Sequence, residues 1–294
     1  MNHPMHPVSP VTPPATPPRG DSSIGGLLLE SGKITPESAE RVLRMQKELG
    51  IRFGEAAQRL GLITEADIQQ VLARQFDYPY LQPGEGKYSD KLVAAYQPFS
   101  HQVETLRAVR SQLMLRWFAR GRKALVIAGV ESAGGASMFA ANLAVVFSQL
   151  GERTLLVDAN LRHACQHEIF DVPNRQGLSD VLASRAGLDC VAKVDAFVDL
   201  SVLAAGTQPP NPQELLSRSS FSGLNHQLEA NYDVVLYDVA AFDAGSDALA
   251  VAARAGGVLL VARKNQTKLS DISAMSEQMA HSGAQVVGSV MLDF

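Results

Sequence analysis

From Lys123 to its last residue, the chain alternates short apolar runs with longer helical stretches. The apolar runs are continuous in Val, Ile, Leu and Ala, which is typical of strands that are buried on both faces of a sheet. The pattern therefore predicts a doubly wound α/β domain with a mainly parallel sheet and helices on both faces. The strand candidates are Ala124–Val130, Thr154–Val157, Leu200–Ala204, Val234–Tyr237, Val258–Ala262 and Val286–Met291. The helical stretches between them are Met138–Leu150, Pro212–Ala230, Ser246–Arg254 and Leu269–Ser282.

A glycine-rich turn follows the first strand candidate and leads into a helix. The backbone N–H groups of such a turn, together with the positive end of the helix, are suited to hold a phosphate. The candidate contacts are Ala133, Gly134, Gly135, Ala136, Ser137 and Met138. A phosphate loop also carries a lysine before its Ser or Thr, and here that position is Ala136. By itself, the turn fits either phosphate binding or a tight connection without a ligand.

Two strand candidates run into an aspartate, Asp158 and Asp238. The carboxyl ends of parallel strands meet at the edge of the sheet where ligands bind, so both carboxylates are expected opposite the glycine-rich turn. There they would hold Mg²⁺ or accept a proton. The alternative is that each aspartate only caps the loop or helix that follows it.

An ungapped internal repeat precedes this domain. Residues 23–46 and 52–75 align at an offset of 29 positions with seven identities. In each copy a short helix ends at a glycine, an apolar residue follows, and Thr35 or Thr64 caps a second helix. The sequence therefore predicts a helix–turn–helix unit, twice, with both copies packed as one unit because neither is long enough to bury a core alone.

Composition sets the remaining boundaries. Residues 1–20 contain seven prolines and predict a disordered tail, 21–82 the repeat domain, 83–100 a linker, and 101–294 the α/β domain. The net charge of -4 argues against a basic nucleic-acid surface over the whole protein, though not against a local patch, and no nucleic-acid partner is expected. Two cysteines without a Cys/His cluster exclude disulfide and zinc scaffolds. No apolar run reaches the ~18 residues of a membrane helix, so a cytoplasmic protein is expected.

Residues 100–294 resemble the bacterial tyrosine autokinases of exopolysaccharide chain-length control, which carry a deviant phosphate-loop ATPase fold. The matching stretches include ASMFAANLAVVFSQLGERTLLVDANLR, LSVLAAGTQPPNPQELL, YDVVLYD and SDALAVAARAGGVLLVARKNQT. The resemblance implies ATP and Mg²⁺ as cofactors, with catalytic roles for Asp158, Asp238 and Arg162. It implies Ser137, Asp158 and Asp238 as metal ligands. It also implies a membrane polysaccharide co-polymerase as activator, which would hold the chain at the inner membrane.

A charged triplet in the helix that precedes the first strand resembles the ring-forming motif of the same family. Its members are Glu104, Arg107 and Arg110, and the i,i+3 spacing puts them on one side of the helix. The resemblance implies self-association through this face. An exposed charged face without a partner is the alternative.

The departures from the family pattern concern activity. Ala136 stands where the family has Lys or Arg, Asn160 replaces a second acidic residue, and the C-terminal tyrosine cluster is missing. A charge-assisted phosphate contact contributes about 1.5–3 kcal/mol, so nucleotide affinity is expected to fall ~10- to 100-fold. The rate is expected to fall further, because the lysine stabilises charge on the transferring group. Two functions stay open: an autokinase with impaired nucleotide chemistry, and a catalytically silent scaffold that oligomerises.

The repeat domain resembles the N-terminal domain of type II secretion and pilus assembly ATPases, some of which bind cyclic-di-GMP. The resemblance implies a ligand site formed by Gly25, Gly32, Gln46, Arg52, Gly54, Gly61 and Gln75. This chain departs from the pattern where Ser23 replaces the first arginine and Lys33 interrupts an apolar pair. Cyclic-di-GMP binding and a docking module without a ligand both stay open.

Overall fold

The computed structural model describes residues 23–75, 80–81, 84, 86–132 and 135–293. The chain divides after residue 78 into two compact units, and each is described by itself. The predicted tail over 1–20 lies outside the described residues, as do Ala133 and Gly134 of the glycine-rich turn. Within the described ranges, no helix is both long enough and apolar enough to cross a membrane.

The smaller unit contains the two repeat copies. Its helices are α1 (Ile24–Glu30), α2 (Pro36–Leu49), α3 (Phe53–Arg59) and α4 (Glu65–Gln75). The predicted caps are confirmed, because Thr35 accepts a hydrogen bond from the Ser38 N–H and Thr64 accepts one from the Asp67 N–H. The glycines that end α1 and α3, Gly32 and Gly61, have the left-handed φ values of 67° and 66° that favour glycine.

One apolar core joins the two copies. It combines Leu28 and Val42 of the first copy with Ala57 and Val71 of the second, all buried. An ion pair also links the copies, since the Lys33 ammonium lies 2.7 Å from the Asp67 carboxylate. Hydrogen bonds from Lys33 and Thr64 lower the pKa of Asp67 to about 2. The lysine that interrupts the apolar pattern thus has a partner in the other copy.

The larger unit is built on a seven-stranded sheet. Its strands are β1 (Ala124–Gly129), β2 (Thr154–Ala159), β3 (Ala192–Lys193), β4 (Leu200–Leu203), β5 (Val234–Val239), β6 (Gly257–Arg263) and β7 (Gln285–Leu292). Their order across the sheet is β3-β4-β2-β5-β1-β6-β7, and every pair is parallel except β3–β4. All six predicted strands are present, so the predicted fold class is confirmed. The sequence does not predict β3, because a two-residue edge strand leaves no apolar run.

Helices cover both faces of this sheet. They are α5 (Val93–Tyr96), α6 (His101–Arg116), α7 (Ala136–Ser148), α8 (Gln166–Ile169), α9 (Leu178–Leu182), α10 (Pro212–Ser217), α11 (Ser219–Asn231), α12 (Asp247–Ala255) and α13 (Leu269–His281). The single helix predicted over Pro212–Ala230 is two helices, because the backbone of Arg218 between them is extended.

The sheet separates the apolar core into two layers. Leu125 and Ile127 of β1 pack in a cluster with α6 and α7, whereas Val126 and Ala128 pack in a second cluster with α10 to α13. Every residue of β1 is buried, as the continuous apolar run predicts. The helix that follows, α7, is buried on most of its circumference. The core therefore fixes the position of the N-terminal end of α7, which directly follows the glycine-rich turn.

The segment predicted as a linker over 83–100 differs in the structure, because much of it packs as part of the larger unit. Leu92, Ala94 and Ala95 are fully buried in the cluster that contains α6 and α7. Asn142 of α7 accepts a hydrogen bond from the Ala94 N–H at 2.9 Å and donates one to the Lys91 carbonyl. A helix as short as α5 gives no periodic signal, which is why proline and glycine dominate the sequence interpretation here.

Gly257 provides a test of this packing. A Cβ atom on Gly257 would lie 2.3 Å from the ring of Trp117, which is buried and donates its indole N–H to the Ala124 carbonyl at 2.8 Å. Gly257→Ala is therefore expected to destabilise the protein by about 1–3 kcal/mol through overpacking. Chemical denaturation followed by Trp117 fluorescence measures this. Gly223→Ala, in open space within α11, is the control and should stabilise by about 0.5–1 kcal/mol. Equal stability of Gly257→Ala and the unmutated protein would contradict the packing.

Candidate functional site

Asp158 and Asp238 lie next to each other at the carboxyl edge of the sheet. They are register partners in the parallel β2–β5 pair, and neither is exposed. The Asp158 carboxylate accepts backbone hydrogen bonds from Asn160 at 3.2 Å, Cys165 at 3.0 Å and Gln166 at 2.9 Å. The turn after β2 therefore wraps around this carboxylate, which is how its burial is tolerated.

Asp238 is held by side chains rather than by its own loop. Its carboxylate accepts a hydrogen bond from the Ser137 hydroxyl at 3.0 Å and another from the Gln166 amide nitrogen at 2.7 Å. Ser137 lies in the first turn of α7, so the structure brings together the three residues that the sequence assigns to a metal. The spacing of residues in the sequence gives no sign of Gln166, which the fold brings in from α8.

Burial raises the pKa of both carboxyl groups. For Asp158 the charge of Asp238 raises the pKa further, and the three backbone donors oppose the shift. For Asp238 burial is again the main cause, opposed by the hydrogen bonds from Gln166 and Ser137. Two adjacent buried carboxylates favour a shared proton or a divalent cation, because either one reduces the repulsion between them.

The donor set fits Mg²⁺ that is shared with phosphates. Within the described ranges, no group of three or more His, Cys, Asp or Glu side chains could enclose a metal by itself. Mg²⁺ is usually held by one or two carboxylates, with waters and substrate phosphates completing its shell. Ser137, Asp158 and Asp238 supply oxygen atoms of that kind. The buried side-chain oxygen of Gln166 has no hydrogen-bond partner among the described residues.

The described end of the glycine-rich turn leads directly into α7. Gly135 adopts a left-handed conformation with φ of 74°, and α7 begins directly after it at Ala136. The Ala136 side chain is buried and contributes no charge. The Met138 side chain lines an apolar groove of about 460 Å³ bordered by α5, α6, α7 and β7, so only the backbone of this residue belongs to the turn.

An acidic side chain already occupies part of this turn. The Ser132 N–H donates to the Asp243 carboxylate at 3.0 Å, and the Ser132 hydroxyl donates to its other oxygen. The preceding residue, Glu131, also has a partner, because its carboxylate accepts a hydrogen bond from the Thr267 hydroxyl at 2.8 Å. Asp243 follows β5 by only a few residues, but its sequence position gives no sign that it faces a loop more than one hundred residues earlier.

Arg162 forms a bidentate ion pair with Asp247. The two hydrogen bonds measure 2.7 and 3.0 Å, and Asp247 is fully buried at the start of α12. This pairing raises the pKa of Arg162. Asn160, at the start of the same turn after β2, accepts a hydrogen bond from the His163 N–H at 3.1 Å. The structure thus shows Arg162 engaged with a buried carboxylate, which limits its freedom to replace the missing lysine.

The charged triplet of α6 is divided between two environments. Glu104 and Arg107 form an ion pair with each other, and the Glu104 side chain is largely exposed. Arg110 donates to the carbonyl of Val146 in the last turn of α7. A guanidinium at this position is favourable, because the last carbonyls of a helix lack intrahelical partners and carry partial negative charge. Arg110 therefore connects α6 to the C-terminal end of α7.

In the smaller unit, two of the proposed ligand contacts serve internal packing. A Cβ atom on Gly25 would lie 3.2 Å from the ring of Phe53, and one on Gly54 would lie 3.0 Å from Ile68. Gln46 lines a shallow groove at the end of α2, and Arg52 precedes α3 as its N-cap. The Gln75 side chain lies outside the described atoms. Cyclic-di-GMP binding by these residues stays a prediction.

Comparison with known proteins gives the larger unit its relatives. The family described as Cellulose biosynthesis protein BcsQ matches residues 122–278. CapB of Staphylococcus aureus is 32% identical over 195 residues, which cover 66% of this chain and 86% of CapB. Tyrosine-protein kinase Wzc of Salmonella typhi is also 32% identical, over 68% of this chain, but the match spans only 28% of Wzc. The kinase domain of Escherichia coli tyrosine kinase ETK has a TM-score of 0.67 at 29% identity, covering 74% of this chain and 84% of that domain.

Asp243 generates a test of the turn. Asp243→Ala removes a negative charge and frees the Ser132 N–H and hydroxyl, so the affinity for Mg-ATP is expected to rise about three- to tenfold. Calorimetric titration measures the change. Asp195→Ala is the control, because Asp195 is exposed in the turn before β4 at the opposite end of the sheet. An affinity that Asp243→Ala leaves unchanged would mean that this carboxylate does not compete with phosphate.

Proposed function

We propose that this chain, which belongs to the bacterial tyrosine-protein kinase family with a BcsQ-type phosphate-loop domain, is an ATP-binding, kinase-like regulator of exopolysaccharide polymerisation and chain length. The observation that carries the proposal is the cluster of Ser137, Asp158 and Asp238 beside the glycine-rich turn. The relatives are named tyrosine-protein kinases, and this chain keeps the carboxylates that such chemistry needs.

Three groups of atoms have distinct roles in the proposed chemistry. The backbone N–H groups around Gly135 and the start of α7 would bind the β- and γ-phosphates. Ser137, Asp158 and Asp238 would hold Mg²⁺, which neutralises charge on the phosphates and positions them. Of the two acids, the one that does not contact Mg²⁺ directly would accept the proton of an attacking tyrosine hydroxyl. The hydrogen bond from Ser137 to Asp238 and the pairing of Asp158 with Asp238 support this division of roles.

Two residues outside this cluster favour impaired rather than full activity. Ala136 supplies no charge to the transferring phosphoryl group, and Arg162 is bound to the buried Asp247. Because phosphoryl transfer depends on positioning and electrostatics, losing the lysine lowers the rate more than it lowers the affinity. We therefore expect weak Mg-ATP binding and slow transfer.

A catalytically silent scaffold is the second candidate function. Two observations favour it: the lysine position is Ala136, and an acidic side chain is bonded to the loop N–H of Ser132. In this alternative the α/β unit retains the fold and the partner contacts without transferring phosphate. The repeat unit would then act as a docking module or, if it binds cyclic-di-GMP, as a sensor.

The partner proposals rest on the same family. The chain spans 86% of CapB but 28% of Wzc, so most of Wzc has no counterpart in the matched region. We infer that a membrane polysaccharide co-polymerase activates this chain at the cytoplasmic face of the inner membrane, and that copies of the chain associate through α6.

The first test restores the missing charge. Ala136→Lys is expected to strengthen Mg-ATP binding by at least tenfold, because the left-handed Gly135, Ser137 and the start of α7 are already in place. Calorimetric titration of both proteins measures it. Ala140→Lys would disrupt the core, so the matched control is Gln149→Lys at the other end of α7. An affinity that does not respond to Ala136→Lys would contradict the view that this turn is a weakened phosphate site.

A second test concerns assembly. If the Glu104–Arg107 face joins subunits, Arg107→Glu should convert the oligomer to monomer, because it places like charges together within the motif and across the interface. Arg110 is left intact, since it caps α7. Arg116→Glu, in the last turn of the same helix, is the control. Light scattering decides the outcome, and an unmutated protein that is itself monomeric would remove the ring proposal for the isolated chain.

A further inference from the structure

Gln166 contacts all three of the proposed metal ligands. Its backbone N–H donates to Asp158, and its side-chain nitrogen donates both to Asp238 at 2.7 Å and to the Ser137 carbonyl at 3.0 Å. The residue is fully buried at the start of α8. The side chain of Gln166 thus contacts the acid of β5 and the first turn of α7, and the backbone of Gln166 contacts the acid of β2.

The orientation of this amide follows from its partners. A carboxylate oxygen and a carbonyl oxygen both accept hydrogen bonds, so the amide nitrogen must face them. The amide oxygen is therefore the atom left over, and it has no hydrogen-bond partner in the part of the chain that the structure describes. A buried acceptor without a partner is unfavourable, which means that this atom is suited to a donor or a cation that is not part of the protein.

Gln166 contacts two acidic side chains through its nitrogen atoms. Asp158 and Asp238 are both buried, the lysine position of the turn is Ala136, and Arg162 is paired with Asp247. Amide carbonyl oxygens of Asn and Gln are ordinary ligands of hard divalent cations. A cation between these groups would satisfy the unpartnered oxygen and reduce the repulsion between the carboxylates.

We propose that Gln166 is a further oxygen donor to the divalent cation of this site. This inference rests on the proposed function, because it assumes that the cluster of Ser137, Asp158 and Asp238 binds a cation. It adds a fourth residue to the site. This residue comes from α8, a helix that is not part of the phosphate-loop pattern in this sequence.

The test compares cation binding by variants of the full chain. Mn²⁺ serves as the probe, with free ion measured by electron paramagnetic resonance in the presence and absence of ATP. Gln166→Met keeps the length and removes the oxygen, and it should weaken Mn²⁺ binding about tenfold. Gln166→Glu adds a charged oxygen in the same position and should bind Mn²⁺ at least as tightly as the unmutated protein. Gln149→Met removes a glutamine amide that donates to the Ala94 carbonyl near the far end of α7, and it should change nothing.

The two variants separate a ligand from a structural amide. A structural role predicts that Met and Glu both leave Mn²⁺ affinity unchanged, or that both weaken it, and either result would overturn the inference while leaving the proposed function in place. If the unmutated protein binds no Mn²⁺ with or without ATP, the inference and the metal of the proposed function both fail. Should Gln166→Met fail to fold, weaker binding by Gln166→Glu than by the unmutated protein would still overturn the proposal.

Discussion

The burial of Asp158 beside Asp238 is the constraint on which the rest of the site depends. Parallel pairing of β2 with β5 places the two carboxylates as register partners, and both are removed from water. Such a pair is stable only when hydrogen bonds and charge are supplied from several directions. The turn after β2, the first turn of α7 and the start of α8 all contribute donors. These segments are held together by the same two acids, although they are distant in sequence.

The charge that surrounds these acids distinguishes this chain from a fully equipped phosphate loop. Ala136 leaves the turn without a lysine, and Arg162 is paired with Asp247. In addition, the Asp243 carboxylate accepts a hydrogen bond from the Ser132 N–H, so it adds another negative charge at the turn. Each feature reduces the attraction for a nucleotide phosphate. A divalent cation bound here would therefore neutralise a larger share of the phosphate charge than it does in a loop with lysine. The missing lysine is also the feature that favours the scaffold alternative.

The structure also shows how residues that resemble a partner motif are used inside the fold. Arg110 caps the carboxyl end of α7 and so connects α6 to that end of the helix. Gly25 and Gly54 of the repeat unit make room for Phe53 and Ile68. In both units, a residue type that a motif assigns to an external partner has a physical role within its own unit. A change at such a residue is therefore expected to affect the stability of its unit.

The sequence by itself determined six of the seven strands, the repeat and the two acids. Continuous apolar runs predict strands buried on both faces, and an aspartate after such a run falls at the ligand edge of a parallel sheet. Those signals are local, so they are readable without tertiary contacts. Other features depend on contacts between residues that are distant in the sequence. These are the hydrogen bonds of Gln166 and Asp243 and the packing of Leu92. The four-residue helices α5 and α8 also give no periodic signal. Only the tertiary structure decided which side chains satisfy the buried carboxylates, because hydrogen bonding between distant segments leaves no pattern in sequence spacing.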